Sequence, residues 1–111
     1  MTELDNIDKV RLRLEKLREL VGVLREYRLV TAKEMKENIK IRLEVERALE
    51  LAIEVCIDIS KLVVTDQRLP IPEKTSGYIL ALGKAGIIDF GFANEFSKAA
   101  GFRNILVNVL F

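Results

Sequence analysis

The chain has 111 residues, 50% of them hydrophobic and 32% charged, with few glycines, prolines and aromatics. That suffices for one domain with a real core and is the composition of a helical protein, not a disordered one. The 18 basic and 17 acidic side chains nearly cancel, so no bulk positive field draws in nucleic acid, and RNA binding would need a local or dimer-built patch.

Histidine is absent, which removes imidazole general bases, His-containing triads and His-ligated zinc together. The first residues, Met1-Thr2-Glu3-Leu4-Asp5, have neither a basic start nor an apolar signal core. No apolar run approaches the roughly 18 residues of a membrane span. A cytoplasmic protein is expected.

Apolar residues at Leu4, Ile7, Val10, Leu14, Leu17, Val21 and Leu24 recur every three or four positions, which predicts an amphipathic helix over residues 3–29. This seam fits a heptad and can pack within the monomer or against a second copy. Thr31 followed by Glu34 has the capping-box pattern that satisfies two backbone donors at a helix start. No Gly or Pro lies between Gly22 and Pro70, so one continuous second helix is predicted to about residue 64, antiparallel to the first.

That second helix is mostly charged up to Arg47 and apolar nearly all round from Ala48 to Val64. Arg47, Glu54 and Asp58 stand out, because at 3.6 residues per turn they share one narrow stripe, with Glu50 slightly to the side. One base and two acids on an apolar helix fit a structural salt-bridge ladder, a dimer-interface network or the surround of a polar site. Cys56, the single cysteine, reads as a buried small hydrophobe.

Residues 66–73, with Pro70 and Pro72, form the one clear loop, and Pro70 is expected to stop the long helix. Thr75 or Ser76 should cap a short helix through Lys84, ended by Gly86; Asp89 should cap another, ended by Gly101. In that helix Phe92, Phe96 and Ala99 or Ala100 are expected to face the core, and Phe90, Phe92, Phe96 and Phe102 are read as core fillers and not as a base-stacking platform. A last helix is expected from near Arg103. The fold class is thus all-α, an antiparallel bundle of two long and about three short helices.

Neither a Gly-rich phosphate loop nor a Ser-centred elbow nor metal-ligand spacing is present. Glu54 and Asp58 could share a divalent ion only with carboxylates from a second helix. Arg103 and Asn104 follow a Gly-ended helix, where backbone donors and a guanidinium can face a phosphate. Equally, Asn104 can cap the helix while Arg103 pairs with Asp58 or Glu54. The residues alone leave both readings open.

Three stretches carry a family likeness: the Leu-rich first helix, the run from Glu46 to Ile59, and Gly101-Phe102-Arg103-Asn104-Ile105-Leu106-Val107, with Leu82 to Ile88 between them. In this order they resemble the HepT-like toxins of the HEPN superfamily, over essentially the whole chain. The resemblance implies a single HEPN-like helical domain over residues 1–111 that dimerises. In such proteins an arginine and a histidine of each subunit share a cleft where RNA is cut without metal or other cofactor, the motif being Arg, four residues, His, one residue, Tyr. The arginine steadies developing phosphate charge and the histidine moves the proton. A partner antitoxin, the nucleotidyltransferase MntA, modifies the tyrosine with AMP.

Carried over, Arg103 is the motif arginine and Asn104 its usual amide, while Asn108 stands in the histidine position and Leu110 in the tyrosine position. Arg47, Glu54 and Asp58 would support this cleft. The family normally continues for another helix, so a C-terminally shortened domain is expected. An amide cannot serve as a general base near neutral pH, so the chain is expected to be an inactive or weak ribonuclease. The alternative is a non-catalytic helical dimerisation module left from a degenerate toxin gene.

Overall fold

A computed structural model describes residues 5–99. Among these residues the chain is all helix and connection, with no strand. The first long helix, α1, spans Asn6–Glu26 and starts where Asp5 accepts a hydrogen bond from the Asp8 amide at 2.8 Å. It is shorter at both ends than its apolar spacing suggests. Past Glu26 the amides of Tyr27, Arg28 and Val30 instead make tight bonds to the carbonyls three residues back. Only part of the apolar seam is covered: Leu20 is buried and Leu17 and Leu24 are half-buried, while Ile7 and Leu14 remain exposed.

The expected continuous second helix is in fact two. A short α2, Ala32–Glu37, is separated from α3, Ile39–Asp66, by Asn38 in an extended conformation (φ −113°, ψ 100°). Thr31 caps α2 as predicted, accepting from the Glu34 amide at 3.1 Å, but only half of the capping box forms: the Glu34 carboxylate accepts from the Thr31 hydroxyl at 3.3 Å. The Asn38 side chain then accepts from the amides of Lys40 and Ile41 at 3.1 and 3.2 Å. Asparagine's short amide side chain can take over backbone donors that a helix would otherwise use. No residue of α2 is fully buried and only Met35 is half-buried, so little apolar packing dictates its direction.

The 28-residue α3 is the central element, packed against α1 on one side and α4 on another. It buries Ala48, Ala52, Ile53, Ile57, Ser60 and Val64. Full burial of each large aliphatic side chain among them contributes about 1.5–3 kcal/mol. Ser60 is the one buried polar residue among those described, and its hydroxyl donates to the Cys56 carbonyl at 2.8 Å, so burial leaves it satisfied. The helix ends four residues before Pro70, without needing it. Arg68 takes the left-handed conformation (φ 52°) and the Leu69 amide reaches back to the Val64 carbonyl at 3.0 Å, a Schellman turn with arginine in the position glycine usually holds.

Helix α4 spans Gly77–Lys84. The side-chain cap expected from Thr75 or Ser76 does not form: Ser76 is already helical in φ and ψ and makes no such bond. Backbone turn bonds from Gly77 to Lys74 and from Tyr78 to Thr75 lead into the helix instead. Its other end follows expectation, with Gly86 at φ 77° and the Ile87 amide bonded to the Leu82 carbonyl. The last described helix, α5, covers residues 90–99. Asp89 caps it as predicted, accepting from the Phe92 amide at 2.9 Å.

The inward face of α5 is rotated from the one expected. Ala93 is fully buried and Phe96 packs on Ile53 and Ile57 as expected, whereas Phe92 is 56% exposed and Ala99 is exposed; Ala100 lies outside the described residues. Gly83 explains the difference: a Cβ there would lie 2.6 Å from the Ala93 Cβ and 3.3 Å from the Phe90 Cα. With so close an approach, only a small side chain fits between α4 and α5. The architecture is the all-helical antiparallel bundle that the sequence indicates, with α2, split from the second long helix, as an added short element; the last helix expected from near Arg103 lies outside the described residues. No helix among them is long and apolar enough to cross a membrane.

Glycine to alanine should act with opposite sign in two of these helices. A Cβ on Gly22 meets nothing within 4 Å, so Gly22→Ala should raise stability by about 0.5–1 kcal/mol through helix propensity. Gly83→Ala should lower it by about 1–3 kcal/mol through overpacking. Urea denaturation of the two variants measures both. Burial pushes the half-buried Cys56 thiol up from its ordinary 9.0 to about 11. Between those values the folded chain keeps a proton that the unfolded chain loses, so this group's contribution lowers stability as pH rises from about 9 to about 11. Comparing denaturation of the wild type and Cys56→Ala across that range isolates the effect. At pH 8 a thiol reagent should modify the native protein at least tenfold more slowly than the urea-unfolded one, since the thiolate is the reactive form.

Candidate functional site

The sequence-predicted polar stripe exists on α3. Arg47 lies at the exposed edge of the helix, Glu54 is half-buried and Asp58 is exposed. Arg47 makes its ion pair with Glu50, Nη1 to Oε2 at 3.4 Å, one turn along the helix. Glu50, placed to the side of the stripe by angle, is therefore part of it, and its spacing of three from Arg47 was the available signal. With Arg47 63% exposed, this pair adds little to stability and serves mainly to fix the guanidinium.

One turn beyond Asp58, Lys61 places its ammonium 5.6 Å from the centroid of the Tyr78 ring. This cation–π contact ties α3 to α4 at the far end of the stripe. Apolar ground borders the near end, where Leu20 and Val23 of α1 with Leu43, Ala48 and Leu51 of α3 line a shallow open groove. Glu44 and Arg47 stand at its edge, and the Tyr27 hydroxyl donates to the Glu44 carboxylate across the helix pair. Apolar floor and charged margin thus meet at Arg47.

Chemically, carboxylates repel a phosphate and attract a cation, so Glu54 and Asp58 suit the support of a guanidinium more than direct contact with RNA. Among the described residues no group of three or more Cys, Asp or Glu gathers around a point that could hold a metal ion. Phe92 and Phe96 stand edge-tilted, centroids 6.0 Å apart at 44°. Phe96 belongs to the core, while Phe90 and Phe92 are about half exposed, which corrects the expectation that all of them fill it. Arg103, Asn104, Asn108 and Leu110 lie outside the described residues.

The bundle has known counterparts. Superposition on a solved structure described as the crystal structure of a toxin-antitoxin with AMP-PNP gives a TM-score of 0.80 at 21% sequence identity, covering 88% of this chain and 74% of that one. At that identity the likeness is one of fold. None of the curated proteins matches the chain. A family model described as Ribonuclease HepT-like matches residues 13–109, from the first turns of α1 to beyond the Arg103 stretch. With most of its length matched in this way, the chain belongs to the HepT-like ribonuclease family.

Proposed function

We propose that the chain is a homodimeric, cytoplasmic toxin homologue whose RNA-cutting activity is impaired at the proton-transfer step. The observation that carries this reading is that the family match runs to residue 109 and so includes Arg103, Asn104 and Asn108, in a chain without histidine. Arg103 binds the scissile phosphate and stabilises its developing charge, and Asn104 orients it. Asn108, in the histidine position, hydrogen-bonds but exchanges no proton near neutral pH. Leu110 offers no hydroxyl for AMP transfer. Glu54 and Asp58 support the cationic side of the cleft, with Arg47 at its margin.

A partner antitoxin of the MntA type is part of this reading, supported by the toxin-antitoxin description of the structural neighbour. Loss of AMP acceptance at Leu110 leaves such a partner able to act by binding alone. The absence of histidine also favours the second reading, a dimerisation module without catalysis, and one experiment separates the two. Purified protein is incubated with labelled RNA beside Asn108→His and the double variant Asn108→His/Leu110→Tyr. Restoring imidazole should raise cleavage by about a hundredfold to ten-thousandfold, the usual share of general acid–base catalysis, and Arg103→Ala should remove the gain. No gain with either variant favours the interaction module, and strong cutting by the wild type that Arg103→Ala abolishes overturns the impairment. Sedimentation of the wild type tests the dimer.

A further inference from the structure

The break at Asn38 points to a length constraint. Helices α1 and α3 run antiparallel in a register fixed at both ends. Near one end, Asn6, Ile7 and Val10 share a cleft with Leu62, Val63 and Asp66. Near the other, Leu20 and Val23 face Leu43, Arg47 and Ala48, and Tyr27 reaches Glu44. Glu26, the last residue of α1, therefore lies level with the Glu44 turn of α3.

Had α3 continued straight back to Ala32, that residue would sit about 18 Å farther along the axis, at 1.5 Å per residue. With the usual helix separation of about 9 Å added, the gap from Glu26 to Ala32 becomes about 20 Å. Six residue steps span about 20–22 Å, and only when fully stretched. The connection is instead coiled, with amide bonds from Tyr27 to Leu24, Arg28 to Arg25 and Val30 to Tyr27.

Local sequence does not demand the break. Residues 32–66 contain no Gly or Pro, α2 buries no residue fully, and the bonds from Asn38 to Glu34 and from Arg42 to Asn38 on either side remain helical. We propose that α2 is an arm held bent at Asn38 by the short tether 27–31, and that lengthening this tether lets α2 join α3 as one helix. Asn38 makes the bend cheap by capping Lys40 and Ile41; the tether, which a straight helix would hold fully stretched, makes the bend the favoured arrangement. Fraying of the last turn of α1 would lengthen the tether in the same way, so the direction of α2 reports the state of the α1 C-terminus.

Insertion of two, four or six Gly-Ser residues between Leu29 and Val30, read by NMR, tests this. With six added residues the Asn38 Cα shift should change from strand-like to helix-like, and exchange of the Ile39 amide should slow at least tenfold, the two-residue insertion having little effect. Asn38 remaining extended throughout the series overturns the proposal. Asn38→Ala at the native tether length supplies an independent check: the substituted position should stay extended while the melting temperature falls by about 5 °C for the lost cap. A helical backbone at position 38 in that variant would place the cause in the asparagine and not in the tether, and would equally overturn it.

Discussion

The packing of α3 against α1 on one side and against α4 and α5 on another is the constraint from which the rest of the described structure follows. A helix can turn only so many residues inward before it has no solvated side, and α3 comes close to that limit: Ala48 lines the groove against α1, while Ile53 and Ile57, more than a quarter turn away, meet Phe96 of α5. The strip holding Arg47, Glu50, Glu54, Asp58 and Lys61 stays wholly or partly open to water. The polar stripe is thus the seam left when both neighbours are seated. Burial on its flanks fixes the rotation of α3, and that rotation aims the charged side chains. Position, more than any one ion pair, makes the stripe a candidate to support a site.

Much of this was legible in the sequence because it depends on nearest neighbours along the chain. Caps are local chemistry, and Thr31, Asp89 and Gly86 all act as their residue types require. The three-and-four spacing of α1 and the apolar run of α3 reveal two long helices because periodicity is also local. Failures occur where a non-local distance decides. Nothing near Asn38 in sequence reveals that α1 ends level with Glu44, yet that register governs whether the helix can continue. Nor does the spacing of Phe92 and Phe96 reveal that Gly83 lets α4 approach until only Ala93 fits between the helices. Once Ala93 is fixed inward, Phe92 turns out by geometry.

The candidate site divides along the same line. The stripe was readable as an angle on a helical wheel, and only the choice of Glu50 as the partner of Arg47 needed coordinates. The Arg103 stretch was readable by its resemblance to a family motif and not by physics: an arginine and two amides among aliphatic residues specify no reaction on their own. Family membership now rests on a match over residues 13–109, and the roles proposed for Arg103, Asn104 and Asn108 rest on the chemistry each can perform.

Fold and catalysis are separable in such a bundle for a physical reason. The core of residues 5–99 is held by aliphatic and small side chains, Leu20, Ala48, Ala52, Ile53, Ile57, Val64, Ile79, Leu82 and Ala93, through burial that is insensitive to proton transfer. A cleft histidine would add rate and almost nothing to that packing, so replacing it with an amide of similar size costs the fold little. Selection for folding or for partner binding could therefore keep such a scaffold intact even where a general base is lost. The same separation means that likeness of fold, however close, carries no information about rate: a TM-score reports where the backbone goes, and the rate turns on whether one side chain can hold a proton at the pH of the cell.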